Sequence, residues 1–187
     1  FEFQYFPWGS EYCLKKGKMM PDDGLEELKG FEAIYLGAIG DPRIPDHVSL
    51  RDLLLKIRFG FDQYVNLRPV KLLEGVSCPL KDKEPKDIDF VVARENSEGF
   101  YTGIGGRYQK GSSEHLRYAG ISKVFADSEE LVTQEGIFSQ IGVERVIRYS
   151  FELARKRNKH LTCCTKSNAL NYCMVYWDEV FKKVSRE

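Results

Sequence analysis

The feature that most constrains the fold is the alternation of short apolar runs with amphipathic helical patterns. Residues 32–40 (EAIYLGAIG) form one nearly continuous apolar run that ends in glycine, as is typical of a strand buried on both faces. Residues 48–61 then place leucine, isoleucine and phenylalanine at steps of three and four, which indicates an amphipathic helix. We therefore predict an α/β fold with a mixed, largely parallel sheet and flanking helices.

The same alternation continues along the rest of the chain. Further predicted elements are strands over residues 1–6, 89–95 and 160–164, a helix with an apolar stripe from Ile141 to Ala154, and a helix beginning near Asn168. The glycine-rich region from about 103 to 123 is predicted to be extended or loop. Arg51 and Arg58 lie one heptad apart and are expected to share a side of their helix.

A domain boundary is predicted near Tyr64, where the helical pattern gives way to Asn66 and Pro69. Proline biases the preceding Arg68 toward an extended conformation. We assign residues 1–63 to one domain and residues 64–187 to a second. Because the chain starts without methionine and stops within a helical pattern, we expect an internal piece that is incomplete at both ends.

Composition excludes several classes of partner. Lysine plus arginine equal aspartate plus glutamate at 28 each, so no net charge favours nucleic acid or an anionic membrane. No apolar run approaches the roughly 20 residues of a membrane-spanning helix, and we expect a cytoplasmic protein with a small-molecule partner. The five cysteines and three histidines show no metal-ligand spacing, so no metal ligand is assigned in this chain, and most cysteines are expected to be buried apolar residues.

Arginines in ordered contexts are the first candidate site residues. Arg58 lies near a helix end, Arg68 in an extended segment, and Arg94 at the end of a predicted strand. A guanidinium binds a carboxylate through a planar fork, so converging arginines would select a small di-acid. Tyr101 and Lys166 each follow a predicted strand, where α/β folds tend to bind ligands. Taken alone, each residue is more commonly explained by an ordinary role: an ion pair for the arginines, a structural contact for Tyr101 and solvent exposure for Lys166.

Four ordered motifs resemble the signature of the β-decarboxylating dehydrogenases, the isocitrate/isopropylmalate dehydrogenase family. They are residues 54–58 (LLKIR), 66–70 (NLRPV), 92–101 (VARENSEGFY) and 165–168 (TKSN). Residues 45–50 and 61–70 are most similar to the tartrate/D-malate dehydrogenase branch. Asp52 and Leu54 replace the serine and asparagine of isocitrate dehydrogenases, whereas Arg51 matches neither the tartrate nor the isopropylmalate pattern.

The resemblance implies roles for the candidate residues. Arg58, Arg68 and Arg94 would bind the substrate carboxylates. Lys166 would take the proton of the substrate hydroxyl, and Tyr101 would protonate the carbon from which carbon dioxide has left. Asn168 would contact the nicotinamide end of NAD. The reaction implied is NAD-dependent oxidation and decarboxylation of a small 2-hydroxy di-acid.

The resemblance also implies cofactors and a partner subunit. A divalent Mg or Mn ion would bind to aspartates that the family carries beyond this chain, so the chain by itself is expected to be inactive. Lys166 would serve the active site of a homodimeric partner, and residues 103–123 would form the arm that contacts it. Residues 1–63 would belong to the cofactor-side domain, and residues 64–187 to the dimerisation and substrate domain.

Two alternatives remain open from the sequence. The first is a 3-isopropylmalate dehydrogenase, which shares the leucines Leu54 and Leu55. The second, of another class, is a truncated non-catalytic partner or regulatory subunit.

Overall fold

Residues 1–187 are described by a computed structural model, in which the chain divides into two units, Phe1–Gln63 and Tyr64–Glu187. Each unit contains its own hydrophobic cluster. The first is formed by Met19, Met20, Leu28, Ile44, Leu53 and Ile57.

The first unit is helical. Its elements are α1 (Ser10–Lys16), α2 (Gly24–Leu28), α3 (Asp46–Ser49), a π-helical turn (Leu50–Leu55) and α4 (Lys56–Gly60). Helix α1 ends at Gly17, which adopts a left-handed backbone with φ of 76°.

The helix predicted over residues 48–61 is confirmed, but its phase changes at the π-helical turn. A π turn contains more residues than an α turn, so side chains beyond it are rotated relative to a regular helix. Leu55 and Arg58 are therefore buried, whereas Leu50 and Arg51 are exposed. The expectation that Arg51 and Arg58 share a side was wrong for this reason.

The second unit combines two strand pairs with helices. Its elements are β1 (Val65–Lys71), β2 (Asp89–Glu95), β3 (Gly105–Gln109), α5 (Ser113–Ala119), α6 (Lys123–Asp127), β4 (Glu130–Gln134), α7 (Gln140–Arg155) and α8 (Cys173–Val184), with 3-10 turns at Pro85–Asp87 and Phe100–Thr102. Helices α7 and α8 bury Val143, Ile147, Val180 and Val184 between them. The predicted helix over residues 141–154 and the terminal helix are both confirmed, although α8 begins at Cys173 rather than near Asn168. The placement of Ile141 in the inner stripe was wrong, because Ile141 is 74% exposed and Val143 is buried instead.

The α/β class is confirmed, but the pairing of strands differs from the prediction. Strand β1 pairs with β2, and β3 with β4, and both pairs are antiparallel. Residues 1–6, 32–40 and 160–164 form no strand. A strand exists only within a ladder of hydrogen bonds, and these apolar runs have no paired neighbour among residues 1–187.

The region from 103 to 123 is more regular than predicted. It contains β3 and α5 and reaches the first residue of α6. The hydroxyls of Ser112 and Ser122 accept the backbone N–H groups of His115 and Phe125, both at 3.2 Å, and so cap the two helices. The sequence contained these serine caps, and the glycine-based prediction of a loop did not take them into account.

The cysteines are less buried than expected. All five are free; four are half-buried and Cys164 is exposed. No helix in this structure combines the length and apolar character that crossing a membrane requires.

Candidate substrate-binding and proton-transfer site

Arg68 and Arg94 lie on one face of the β1–β2 ribbon. Asn66 is paired with Arg94, and Arg68 with Val92. Side chains alternate between the two faces of a strand, so these four residues share a face. The two arginines are diagonal neighbours across the ribbon, and the Cα atoms of such neighbours lie about 7–8 Å apart. Both guanidinium groups are therefore able to reach one small ligand.

The proline in β1 is compatible with a two-stranded ribbon. Pro69 lies within β1, opposite Val91. Proline has no N–H group to donate, and it is tolerated in strands that have a free edge, as both strands of a two-stranded ribbon do. It also holds Arg68 in an extended conformation, which agrees with the sequence prediction.

Hydrogen bonds orient the side chains on this face. Arg68 Nε donates to Asn66 Oδ1 at 3.1 Å, and Asn66 Nδ2 donates to Asn96 Oδ1, also at 3.1 Å. Asn96 is buried. These two hydrogen bonds fix the amide orientation of Asn66 and hold the Nε atom of the Arg68 guanidinium.

Tyr101 lies beside Arg94. The central carbon of the Arg94 guanidinium is 5.0 Å from the centre of the Tyr101 ring, which is within range of a cation–π interaction. The structure therefore brings together Arg68, Arg94 and Tyr101, three of the residues proposed from sequence.

The loop between β2 and Tyr101 is held by the carboxylate of Glu95. Its oxygens accept the backbone N–H of Ser97 at 2.9 Å, the Ser97 hydroxyl at 2.8 Å, and the backbone N–H of Glu98 at 2.8 Å. Arg145 on α7 donates to the same Ser97 hydroxyl at 2.9 Å. The path of the chain from Arg94 to Tyr101 is thus set by ordered polar contacts.

The same loop is joined to the start of α7. Glu98 accepts the backbone N–H of Ser139 at 2.9 Å and also the Ser139 hydroxyl. Gly99 donates its N–H to the carbonyl of Ile137 at 2.8 Å. A carboxylate at a helix N-terminus is favourable because the first N–H groups have no partner within the helix.

Lys166 and Asn168 lie in the segment that precedes α8. Both side chains are exposed, whereas the intervening Ser167 and the preceding Thr165 are half-buried. The carbonyl of Lys166 accepts the N–H groups of the residues three and four positions further on, at 3.0 and 2.9 Å, so the lysine begins a turn. The side chains of Lys166 and Asn168 are therefore both open to solvent at the start of this turn.

Arg58 belongs to the Phe1–Gln63 unit and is only 8% exposed there. Its carbonyl accepts the N–H of Gln63 at 2.9 Å, which closes the end of α4. Burial of a guanidinium is unusual without polar partners, and it is consistent with an ordered role for this side chain.

Comparison with known proteins identifies the family of the chain. The family model described as isocitrate/isopropylmalate dehydrogenase matches residues 1–187. The chain belongs to that family. It spans about half the length of the curated relatives that it matches.

Two relatives show the branch most clearly. A D-malate dehydrogenase [decarboxylating] of Escherichia coli (strain K12) is 52% identical over 180 residues, which are 95% of this chain and 46% of the relative. A probable tartrate dehydrogenase/decarboxylase of Agrobacterium vitis is 49% identical over 183 residues, which are 97% of this chain and 47% of the relative. These identities confirm the resemblance of the chain to tartrate and D-malate dehydrogenases.

A solved structure supports the fold. The isocitrate dehydrogenase of Methylococcus capsulatus aligns with 96% of this chain and 46% of its own, with a TM-score of 0.73 and 22% identity. At that identity the comparison establishes the isopropylmalate-dehydrogenase-like fold alone.

Sequence reasoning missed several residues that order the site. Asn66 and Asn96 orient Arg68, and Glu95 and Glu98 fix the loop that carries Tyr101. Asn66 was detectable, because it lies two residues before Arg68 and so shares its face in any strand. The partners of Glu98 lie 41 positions away, and no local pattern points to them.

Proposed function

We propose that the protein carrying this chain oxidises and decarboxylates a small 2-hydroxy di-acid of the D-malate or tartrate type, using NAD. The observation that carries the proposal is the shared face of Arg68 and Arg94 with Tyr101 beside it. Membership of the family and the similarity to D-malate and tartrate enzymes support the choice of substrate.

The arginines select the substrate by charge and shape. A guanidinium forms two parallel hydrogen bonds with a carboxylate, which a lysine does not reproduce. Arg68 and Arg94 would bind the carboxylate that stays on the product, together with Arg58. A 2-hydroxy acid with a single carboxylate keeps the group that these arginines would bind but lacks the second carboxylate, which leaves as carbon dioxide, so it is not expected to give a decarboxylated product.

Two side chains would move protons. Lys166 would accept the proton of the substrate hydroxyl, and Tyr101 would donate its phenolic proton to the carbon that carbon dioxide has left. NAD supplies a hydride acceptor when it is bound, and Asn168, which is exposed like Lys166, would contact its nicotinamide end.

A requirement for Mg or Mn is proposed from the family alone. Residues 1–187 bring together no group of three or more histidine, cysteine, aspartate or glutamate side chains that could hold a metal ion. The side chains of this chain by themselves do not fit a metal centre.

We also propose a homodimer with shared active sites. Lys166 would serve the partner's site, and the arm over residues 103–123 would contain β3 and α5 rather than a loop alone. Exposed apolar side chains on α5 and α6, such as Leu116 and Val124, are compatible with an interface.

The test is NADH formation by the protein at its natural length, with D-malate, tartrate and 3-isopropylmalate offered separately in the presence of manganese. Turnover of D-malate or tartrate but not of 3-isopropylmalate is expected. Turnover of 3-isopropylmalate alone would favour the isopropylmalate alternative. No turnover by a folded protein would favour a non-catalytic partner or regulatory subunit.

A variant tests the role of the arginines. Arg94→Lys keeps the charge but loses the fork, and one lost charge-assisted hydrogen bond of about 1.5 kcal/mol corresponds to roughly a tenfold rise in KM. Arg155→Lys is the matched control, because Arg155 is exposed at the end of α7 and pairs only with Glu152. Equal KM values for the two variants would contradict a binding role for Arg94.

A further inference from the structure

The segment around Lys166 is attached to α8 by every second residue. Cys163, Thr165 and Ser167 are half-buried, whereas Cys164, Lys166 and Asn168 are exposed. Up to Lys166, where the turn begins, this alternation is that of an extended chain with one side against a surface. The side chains that face α8 therefore decide where Lys166 points.

The carboxylate of Asp178 accepts hydrogen bonds from the hydroxyls of the two residues that flank Lys166. Thr165 Oγ1 donates to Asp178 Oδ1 at 2.8 Å, and the Ser167 hydroxyl also donates to Asp178. These two hydrogen bonds, with that from Ser167 the stronger influence, lower the pKa of Asp178 below its usual value. Asp178 is therefore ionised at neutral pH, when a carboxylate is an acceptor only and both hydroxyls must donate to it.

Asp178 is itself held in place by the helix that carries it. It lies in α8, whose Val180 and Val184 are buried against α7. The preceding residue, Trp177, packs against the same cluster and so also fixes this part of α8. The Asp178 carboxylate therefore fixes Thr165 and Ser167, the residues on either side of Lys166, relative to α8.

We propose that Asp178 is a positioning residue for Lys166, acting through the hydroxyls of Thr165 and Ser167. The inference rests on the proposed role of Lys166 in taking the substrate proton. Asp178 does not touch the substrate in this account. It fixes the backbone from which the lysine extends, so that the amine reaches the hydroxyl.

The test compares Asp178→Asn with Glu179→Gln in the protein at its natural length. Both substitutions remove one negative charge from α8, but Glu179 is exposed and no contact of its side chain is involved in holding the segment. A displacement near 1 Å of a catalytic group costs up to about 100-fold, so Asp178→Asn is expected to lower kcat by about 10- to 100-fold. KM for D-malate is expected to stay within about twofold, because Arg68 and Arg94 are unchanged.

Two single hydroxyl changes refine the test. Thr165→Val removes one donor without changing charge or size and should lower kcat, and Thr165→Ser should recover the rate lost in Thr165→Val. A kcat for Asp178→Asn equal to that for Glu179→Gln would overturn the proposal. So would a rise in KM with kcat unchanged, which would indicate a role in binding.

A second readout does not depend on turnover. The N–H groups of Ala169 and Leu170 are bonded to the Lys166 carbonyl at 3.0 and 2.9 Å. Faster hydrogen exchange at these amides in Asp178→Asn, but not in Glu179→Gln, is expected if Asp178 orders the turn. Unchanged exchange at these amides in Asp178→Asn would overturn the positioning role of Asp178. This result does not depend on turnover. A wild-type protein that oxidised none of the acids tested would contradict the proposed function instead.

Discussion

Replacing Gly142 by alanine would place a methyl group against the carboxylate of Glu98. Gly142 lies in the first turn of α7, and a Cβ atom built on it meets the carboxyl carbon and both carboxyl oxygens of Glu98. Glu98 is the flexible partner and would move away. It would then lose its hydrogen bonds from the N–H and hydroxyl of Ser139.

The expected energies follow from these contacts. Hydrogen bonds to charged groups contribute about 1.5–3 kcal/mol when buried, and partial exposure reduces the two made by Glu98 to a total of about 2 kcal/mol. Glu98→Ala should therefore destabilise by about 2 kcal/mol. Gly142→Ala breaks the same bonds but gains about 1 kcal/mol from the better helix propensity of alanine, for a net loss of about 1 kcal/mol.

The double variant separates this account from independent effects. With the carboxylate already absent, Gly142→Ala should retain its gain, so the double variant should lose about 1 kcal/mol instead of the roughly 3 kcal/mol expected for additive changes. The assay is urea unfolding followed by the fluorescence of Trp177, whose ring lies 5.7 Å from that of Phe138. A common Trp8→Phe background removes the other tryptophan. Additivity within about 0.5 kcal/mol would refute the reasoning.

Two further predictions concern packing and charge. On α7, Ile147 is 3% exposed and Ile141 is 74% exposed. Thermal unfolding of Ile147→Ala should therefore show a free energy of unfolding lower by about 2–5 kcal/mol. For Ile141→Ala the free energy of unfolding should change by no more than about 0.5 kcal/mol. Equal losses would show that α7 does not pack as described. Hydrogen bonds from Arg43 lower the pKa of Asp41 to about 2. The stability linked to this pair is therefore fully present above the pKa of Asp41 in the unfolded chain. It is lost as the pH falls through about 2, where the folded carboxylate is protonated. An NMR titration of the Asp41 carboxyl should return toward 3.8 in Arg43→Ala, and an unchanged midpoint would contradict the assignment.

The elements that were predictable are those whose pattern is local. The stripe beginning at Ile141 repeats at helical spacing, and α7 follows it closely. Strand β2 was likewise indicated by residues 89–95 alone. In both cases the residues that define the element are neighbours in the sequence.

Pairing between distant segments was not predictable in the same way. The apolar run over residues 32–40 has the composition of a strand, but composition does not supply the hydrogen-bonded partner that a strand needs. The face shared by Arg68 and Arg94 depends on the antiparallel register of β1 and β2, because a shift by one residue would move one arginine to the other face. The sequence identified both arginines without indicating that they converge.

Residues that support the site were the hardest to foresee. Asp178 lies 11 to 13 positions from the hydroxyls that it binds, and its residue type is ordinary for an exposed helix position. The phase of Arg58 depends on a π-helical turn that no side-chain pattern signals. Both effects arise from packing within a unit rather than from local preference.

The most direct test of the proposed activity follows NADH and carbon dioxide together in one reaction of the natural-length protein with D-malate. Oxidation coupled to decarboxylation predicts that the two products form in equal amounts and that Lys166→Ala suppresses both. NADH formed without carbon dioxide, or carbon dioxide released without NADH, would contradict the account.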